Sequence, residues 1–397
     1  MIQVIQKQRC TGCYACSTVC PEHCIAMKSD TEGFGYPEAD VSKCIRCGLC
    51  EKVCPVMNKQ EIHHQPQAYA CYAADEEIRM HSSSGGIFPL LAEQVIDSGG
   101  VVFGAGFEID FTVVHGYAQT KEELGKFRGS KYVQSKIGDA YKAAKEFLEQ
   151  GRPVLFTGTP CQVEGLKSYL GKPYANLFCV DMVCHGVPSP KVWRKYISYR
   201  ESCAKSGVRA VDFRDKSKGW KSYHVFFVFQ DGTRYQKVYH KDFYMNAFLK
   251  DICLRPSCYD CRFKTLQRQS DITLADFWGI QDILPELDDD KGTSLIFVHT
   301  AKGQFLLERI KERMVYQETD IYKAVEYNPS AVKSARYHPK RDDFFDDLDR
   351  LPFDKLAAKY CSERAMVLIG RWLKVCIYRI VKKLGLFNMV RKFLGRT

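Results

Sequence analysis

The sequence predicts an α/β body of two subdomains, with a small cysteine-rich domain in front and a basic amphipathic helical tail behind. Three observations predict it. Between residues 68 and 330, apolar runs of strand length alternate with amphipathic runs of helical period, the pattern of a layered α/β architecture. Ahead of them, one cysteine spacing occurs twice within residues 10–55. Behind them, residues 365–397 hold eight Lys or Arg and no Asp or Glu. The domain boundaries expected from these shifts are 1–60, 68–150, 151–330 and 331–397.

The repeated spacing is specific. Cys10, Cys13, Cys16 and Cys20 are followed by Pro21, and Cys44, Cys47, Cys50 and Cys54 by Pro55. Each half is C-x2-C-x2-C-x3-C-P, the run that holds a 4Fe–4S cube in bacterial-type ferredoxins. Two-residue gaps wrap a loop round three corners of a cube, and the fourth thiolate crosses to the other one. Cys10, Cys13, Cys16 and Cys54 are therefore expected at one cluster, and Cys44, Cys47, Cys50 and Cys20 at a second. Gly12 and Gly48 let backbone approach the sulfides, and the prolines end each loop. A pair of zinc sites would instead show two separated C-x2-C pairs. This spacing assigns the chain to electron carriage.

Composition narrows the class further. A chain of 397 residues is long for one domain, and its 19 cysteines follow ligand spacing rather than a disulfide framework. Met1-Ile-Gln-Val-Ile leads straight into the first ligand loop without a signal-peptide pattern, so a cytoplasmic location is expected. The net charge of +11 is concentrated in the tail. With no zinc finger, RNP or helix-turn-helix pattern, no nucleic-acid partner is expected. Trp372, Leu373, Ile377, Ile380 and Phe387 alternate with Arg371, Lys374, Arg379, Lys382 and Lys383. Charge interrupts the run too often to span a bilayer, and a peripheral seat at the inner face of a membrane is the expectation.

The elements follow in order. Gly33 to Pro37 is a turn inside the cysteine-rich domain, and the polar stretch from Asn58 to Gln67 reads as a linker, with His63 and His64 solvated. Cys24 is read as packing, as are Cys71, Cys179, Cys203, Cys361 and Cys376. Ala68 to Ala73 is a strand, and Ser82 to Phe88 leads into a helix from Leu90 to Asp97. Gly99 to Gly106 is a turn and buried strand, with Val113 to Ala118 its antiparallel partner. Phe127 to Tyr132 is a polar loop and Ile137 to Leu148 an amphipathic helix. A strand from Pro153 to Thr157 precedes the loop Gly158–Cys161 and a helix from Gln162 to Leu170. Leu177 to Val183 is buried strand ending at Cys184. Ser189 and Pro190 read as N-cap and first residue of the next helix. Tyr223 to Phe229 begins a hairpin through Gly232, and Ser294 to His299 is the last strand.

In Ser82-Ser-Ser-Gly-Gly-Ile-Phe88, Phe127-Arg-Gly-Ser-Lys131, Gly158-Thr-Pro-Cys-Gln162, Cys184-His-Gly-Val-Pro188, Cys258-x-x-Cys261, Ser270-Asp-Ile-Thr273 and Asp276-Phe-Trp-Gly279, the chain resembles the beta subunit of coenzyme F420-reducing hydrogenases and dehydrogenases. The resemblance spans about residues 1–300 with the ferredoxin module included. It implies a flavin-binding body that uses FAD beside 4Fe–4S clusters to pass electrons to an organic acceptor. Ser82, Ser83, Ser84, Gly85 and Gly86 offer hydroxyls and flexible backbone at a helix start, suited to a pyrophosphate, or alternatively a plain serine cap. Arg128, Gly129, Ser130 and Lys131 would pair the diphosphate or a reduced flavin edge, with Gly158 and Thr159 beside them. The resemblance also implies a third cluster near the flavin. Its expected ligands are Cys161 and Cys184 at strand ends and the Cys258/Cys261 pair, with Cys253 in reserve; the plain alternative for Cys161 and Cys184 is ordinary burial.

The expected function is an iron–sulfur flavoprotein oxidoreductase that passes electrons from a ferredoxin or similar redox protein through 4Fe–4S clusters to FAD and on to an organic small molecule. Members of the resembled family sit beside polysaccharide-assembly genes, which implies that link here. His185, beside Cys184, is the expected proton donor, against a structural histidine as its alternative. Two other readings are an electron-transfer protein feeding a partner enzyme and a coenzyme F420 oxidoreductase.

Overall fold

The computed structural model describes residues 2–3, 6–59 and 62–362. The tail expected at 365–397 lies outside the described residues. The front module holds α1 (Ala15–Thr18), β1 (Ile25–Ser29), β2 (Gly35–Ala39) and α2 (Leu49–Lys52). β1 and β2 pair antiparallel, with Asp30 closing the turn by accepting from the backbone N–H of Glu32 and Phe34. Each cysteine run winds once as a short helix, so the repeat in sequence is a repeat in structure.

The body follows as β3 (Gln67–Ala73), α3 (Glu76–Met80), α4 (Ile87–Asp97), β4 (Val101–Phe107), β5 (Val113–Ala118), α5 (Ala140–Glu149), β6 (Val154–Gly158), α6 (Pro160–Leu170), β7 (Leu177–Met182) and α7 (Pro190–Ala204). Next come β8 (Val208–Asp215), β9 (His224–Phe229), β10 (Arg234–Val238), α8 (Phe243–Leu249), β11 (Ile272–Asp276), α9 (Ile280–Ile283), β12 (Ser294–Val298), α10 (Ala301–Glu308), β13 (Met314–Thr319), α11 (Ile321–Glu326), α12 (Arg341–Asp347) and α13 (Phe353–Cys361).

One eight-stranded sheet organises the body, in the order β13-β3-β12-β11-β7-β6-β4-β5. Its centre, β11-β7-β6-β4, is parallel, and the flanking pairs are antiparallel. The parallel strands read as unbroken apolar runs because both faces are covered. Val154, Leu155 and Phe156 are all fully buried, with Phe156 facing the α5–α6 layer and Leu155 the α4 layer. β5 pairs β4 antiparallel, as its alternation predicts.

The boundary expected at 150/151 falls inside this sheet. β3, β4 and β5 come from one side of it and β6, β7, β11, β12 and β13 from the other, so the two stretches share one hydrogen-bonded layer. A strand run predicts pairing but not with which partner, and here the pairing crosses the boundary. A second, three-stranded sheet, β10-β9-β8, packs with α7, α8 and α13 around Trp193, Tyr196 and Phe227. Phe344, Phe353 and Leu356 belong to that core, so the described part of 331–397 is built into the body. The stretch read as a linker is pinned as well. Lys59 donates to the Arg262 carbonyl, and the His64 ring lies 3.0 Å from His299 across a nitrogen pair. Among the described residues, no helix is long and apolar enough to cross a membrane.

Candidate redox site

In the front module each ligand loop contains two left-handed residues, at matching places in the repeat: Gly12 (φ 67°) and Tyr14 (φ 68°) in one half, Arg46 (φ 55°) and Gly48 (φ 75°) in the other. The loop geometry, not the residue type, is what repeats. Cys10, Cys13, Cys16 and Cys54 line one cavity of about 530 Å³. Burial, with the charges of Cys16, Cys10 and Cys54, pushes the Cys13 thiol up to about 12, and burial with Cys10 and Cys54 does the same to Cys16. Cys13 and Cys16, held up in this way, resist ionisation until a cation compensates them, which is what bound iron would do. The donor set fits a cluster. Cys20, Cys44 and Cys50 share the module's small core with Cys24, whose Sγ lies 3.4 Å from that of Cys20, and Cys47 stands exposed at the edge.

Cys161, Cys184, Cys258 and Cys261 come from three separate stretches, and the structure brings all four to one pocket. Cys161 is the second residue of α6. Thr159 caps that helix in a capping box with Gln162, and Pro160 occupies its first position. The helix start thus turns its positive end towards the thiol, as suits a thiolate. The Thr159 hydroxyl lies 3.2 Å from Cys161 Sγ, and the Val187 N–H donates to Cys258 Sγ at 3.4 Å. Cys184 follows β7, the neighbour of β6, so both thiols sit at the C-terminal rim of parallel strands. Burial raises the thiols of Cys161, Cys184 and Cys258, each further raised by its neighbours' charge. Arg255, Lys264 and Arg268 line the pocket and no carboxylate does, an environment built for an anion. The four thiols surround the pocket rather than meeting at a point, since among the described residues no three His, Cys, Asp or Glu close on a single metal ion. Cys253 is fully buried in the α7–α8 core, away from this pocket.

α6 joins this pocket to the front module. Gly165, one turn beyond Cys161, packs on Cys13 so closely that a Cβ there would lie 3.2 Å from Cys13 Sγ. Thr11 lines both cavities. His185 lines the pocket too, held by Asp251 Oδ1 at 2.5 Å on one ring nitrogen and by Ser330 Oγ at 3.3 Å on the other. Both nitrogens are engaged, which suits its structural alternative rather than proton donation.

The two loops expected to hold a flavin meet each other. The Ser130 N–H donates to Ser83 Oγ at 2.7 Å, and Arg214 donates to the Ser83 carbonyl and to Asp276. Asp276 ends β11, so this cluster stands on the same strand rim as the cysteines. Ser82 and Ser84 do not face a ligand with their hydroxyls, which donate to the carbonyls of Ile78 and Thr293. Gly85 packs so tightly that a Cβ would lie 2.5 Å from the Cys71 carbonyl, and Gly86 has φ 85°; both glycines answer to close packing and a left-handed turn. Lys131 donates to the carbonyls of Lys126 and Arg128, and burial pulls its ammonium down to about 7. Gly129 (φ 80°) makes the turn between them. Arg128 Nε and Arg214 Nε are buried without an acceptor, which fits a missing anionic partner such as a diphosphate. Thr159 lies instead with the cysteines, and Gly158 packs against Gln162 and His115. Sequence reasoning missed Arg255, Lys264, Arg268, Gln134 and Arg214, which lie in no motif and are recruited by the fold.

Residues 9–58 match the 4Fe-4S dicluster domain, and residues 151–324 match the C terminus of the coenzyme F420 hydrogenase/dehydrogenase beta subunit. The chain is 25% identical over 200 residues to coenzyme F420-dependent sulfite reductase of Methanocaldococcus jannaschii, covering 47% of this chain and 29% of that one. It is 21% identical over 178 residues to a subunit of the F(420)H(2) dehydrogenase of Methanosarcina mazei, covering 42% of this chain and 49% of that one. The chain thus spans less than half the length of either relative. The F420-reducing [NiFe] hydrogenase complex of Methanosarcina barkeri contains a chain aligned over 75% of this one and 92% of its own, at 18% identity and TM-score 0.44. With the cysteine repeat in front and the matched stretch behind it, the chain carries a 4Fe-4S dicluster domain at residues 9–58 and the C-terminal domain of the coenzyme F420 hydrogenase/dehydrogenase beta-subunit family at residues 151–324.

Proposed function

We propose that the chain is an iron–sulfur flavoprotein oxidoreductase that links a one-electron protein donor to an organic acceptor. The observation that supports it most is the packing of Cys13 on Gly165, one helical turn from Cys161, which sets the front module against the four-cysteine pocket of the body. When bound, iron–sulfur groups carry single electrons and a flavin trades them for two-electron chemistry on an organic molecule. The chain's own residues hold and screen. Cys10, Cys13, Cys16 and Cys54 would ligate a proximal cluster, Cys20, Cys44, Cys47 and Cys50 a distal one open to a donor at Cys47, and Cys161, Cys184, Cys258 and Cys261 a third. Lys264 and Arg268 offset the charge of the third site. Arg128 and Arg214 would take the flavin diphosphate, and Ser83 with Ser130 fixes the loops that carry them. His185 positions the pocket wall through Asp251.

Reconstituted full-length protein should bind about twelve iron atoms, four per cube, together with one FAD. Cys258→Ser should lower iron to about eight and leave two clusters spectroscopically intact. Eight iron atoms in the unaltered protein would remove the third site. A second reading is favoured by the relative named as part of a dehydrogenase: an electron-transfer protein without a substrate pocket of its own. Under that reading, purified protein reduces a dye but turns over no small molecule alone. The tail, with eight basic residues and none acidic, would add an anionic lipid contact. Anionic vesicles at low salt should sediment the full chain and not a version ending at Glu363; equal sedimentation removes that contact.

A further inference from the structure

We propose that Arg255 is the buried counter-ion of the proximal cluster, raising its reduction potential relative to the other clusters; this rests on the reading that Cys10, Cys13, Cys16 and Cys54 hold that cluster. Arg255 is fully buried. Its Nη2 donates to Cys10 Sγ at 3.6 Å and to the Gly35 carbonyl at 3.0 Å, its Nε donates to the Cys10 carbonyl at 2.8 Å, and its Nη1 donates to Gln134 Oε1 at 3.0 Å. The Tyr36 ring covers one face, 4.3 Å from the guanidinium carbon. Every acceptor is a carbonyl, an amide oxygen or the Cys10 sulfur.

That set is unusual for an arginine so deep. Of the other buried arginines, Arg79, Arg214, Arg268 and Arg341 each face a carboxylate, and Arg200 lies among the rings of Tyr196, Tyr199 and Tyr235 rather than against a cysteine sulfur. Among the described residues no carboxylate lies within ion-pair distance of Arg255, and a buried charge without a counter-charge is expensive. The thiol ligands supply the counter-charge. A cube held by four thiolates is a dianion, and each electron added makes it more negative, so a fixed cation at a ligand sulfur favours the reduced form. A guanidinium stays charged at every working pH and donates in a rigid fork, which an ammonium or a water cannot reproduce.

The placement also ties the two cysteine sites together. Arg255 lines the pocket of Cys161, Cys184, Cys258 and Cys261, and its carbonyl accepts from the Cys258 N–H at 2.9 Å. Its own N–H donates to Val187, whose N–H in turn meets Cys258 Sγ. The loop that presents the Cys258 ligand therefore also presents the cation for Cys10, with one hydrogen bond between guanidinium and ligand sulfur. A structural arginine filling a gap would not need to reach the sulfur.

The experiment is an EPR-monitored redox titration of reconstituted full-length protein, unaltered and as Arg255→Gln and Arg255→Lys. The proximal cluster is identified as the one whose signal Cys10→Ser alters. In Arg255→Gln its midpoint should fall further than that of the cluster in the Cys161 pocket, which Arg255 also lines, while the distal cluster stays in place and iron content is retained; Arg255→Lys should recover part of the shift. Pulsed EPR on unaltered protein grown with [15N]arginine should show a weak nitrogen coupling on the reduced proximal cluster, lost in Arg255→Lys protein labelled in the same way. An unchanged midpoint in Arg255→Gln at full iron content overturns the proposal. If Arg255→Gln loses iron, the unaltered labelled protein decides, and absence of the coupling overturns it. If Cys10→Ser leaves every cluster signal unaltered, the ligand reading itself has failed and the counter-ion with it.

Discussion

His115 shows how burial turns an ordinary side chain into a pH-dependent contribution to stability. It lies on β5 with Nε2 3.0 Å from the Thr157 carbonyl and Nδ1 3.0 Å from Ser135 Oγ, while Ser135 also accepts from Gln162. The network places the capping glutamine of α6, so it bears on how Cys161 is presented. Desolvation pulls the imidazole down to about 4, against about 6.5 in an unfolded chain. Between these values the unfolded chain binds a proton that the folded chain does not. The contribution is therefore complete above about pH 6.5 and lost as pH falls towards 4, by up to about 3 kcal/mol. Denaturant unfolding from pH 7.5 to 5 should show this slope, and His115→Gln should flatten it by close to one proton. A variant with the same slope as the unaltered protein would place the titration elsewhere.

At the scale of elements, α6 is the beam between the two cysteine sites. Its capping box fixes where it starts, and Gly165 fixes how near it comes. A Cβ at Gly165 would lie 2.8 Å from the Tyr141 hydroxyl and 3.0 Å from Cys13 Cβ. Alanine is normally the better helix former by about 1 kcal/mol. Here overpacking of about 1–3 kcal/mol opposes that gain and wins, because both neighbours are fixed, Tyr141 by its hydrogen bond to the Gln162 carbonyl and Cys13 by its loop. Gly165→Ala should thus destabilise the protein and alter the EPR spectrum of the proximal cluster while leaving the distal one unchanged. Normal stability with an unaltered spectrum would show that α6 and the ligand loop can part without consequence.

Over the whole molecule, the front module is docked rather than tethered. Arg341 grips Glu32 with two bonds of 2.8 and 2.5 Å and also donates to the Leu254 carbonyl. Lys191 reaches the Thr31 carbonyl, Arg262 the Val56 carbonyl, and Gly33 sits where a Cβ would collide with Lys191 at 2.4 Å. The Arg341 side chain is only 3% exposed, so removing Glu32 takes away both of its short charge-assisted bonds and leaves only the exposed Asp342 carboxylate, 3.6 Å away. Glu32→Ala should cost about 3–5 kcal/mol in urea unfolding. It should also open the junction after Asn58 to protease. A cost below about 1 kcal/mol with unchanged proteolysis would mean that the module is held by other contacts.

The cysteine repeat determined the front module by itself, because cube ligation imposes a spacing that local sequence must carry. The same holds for most strands and helices of the body: apolar alternation, the Ser189-Pro190 start of α7 and the Thr159–Gln162 box are all local signals. Only the tertiary structure decided which strands pair, and it placed β3 between β12 and β13, pairings whose partners lie more than 200 residues away. It likewise decided what surrounds the thiols. Arg255, Lys264, Arg268 and Gln134 belong to no motif, since a cation at a redox site is selected by where the fold brings it, not by its neighbours in sequence. The flavin loops divide along the same line. Ser83 and Ser130 meet across the fold, but Ser82 and Ser84 give their hydroxyls to nearby carbonyls, a choice set by backbone geometry that residue type alone cannot express.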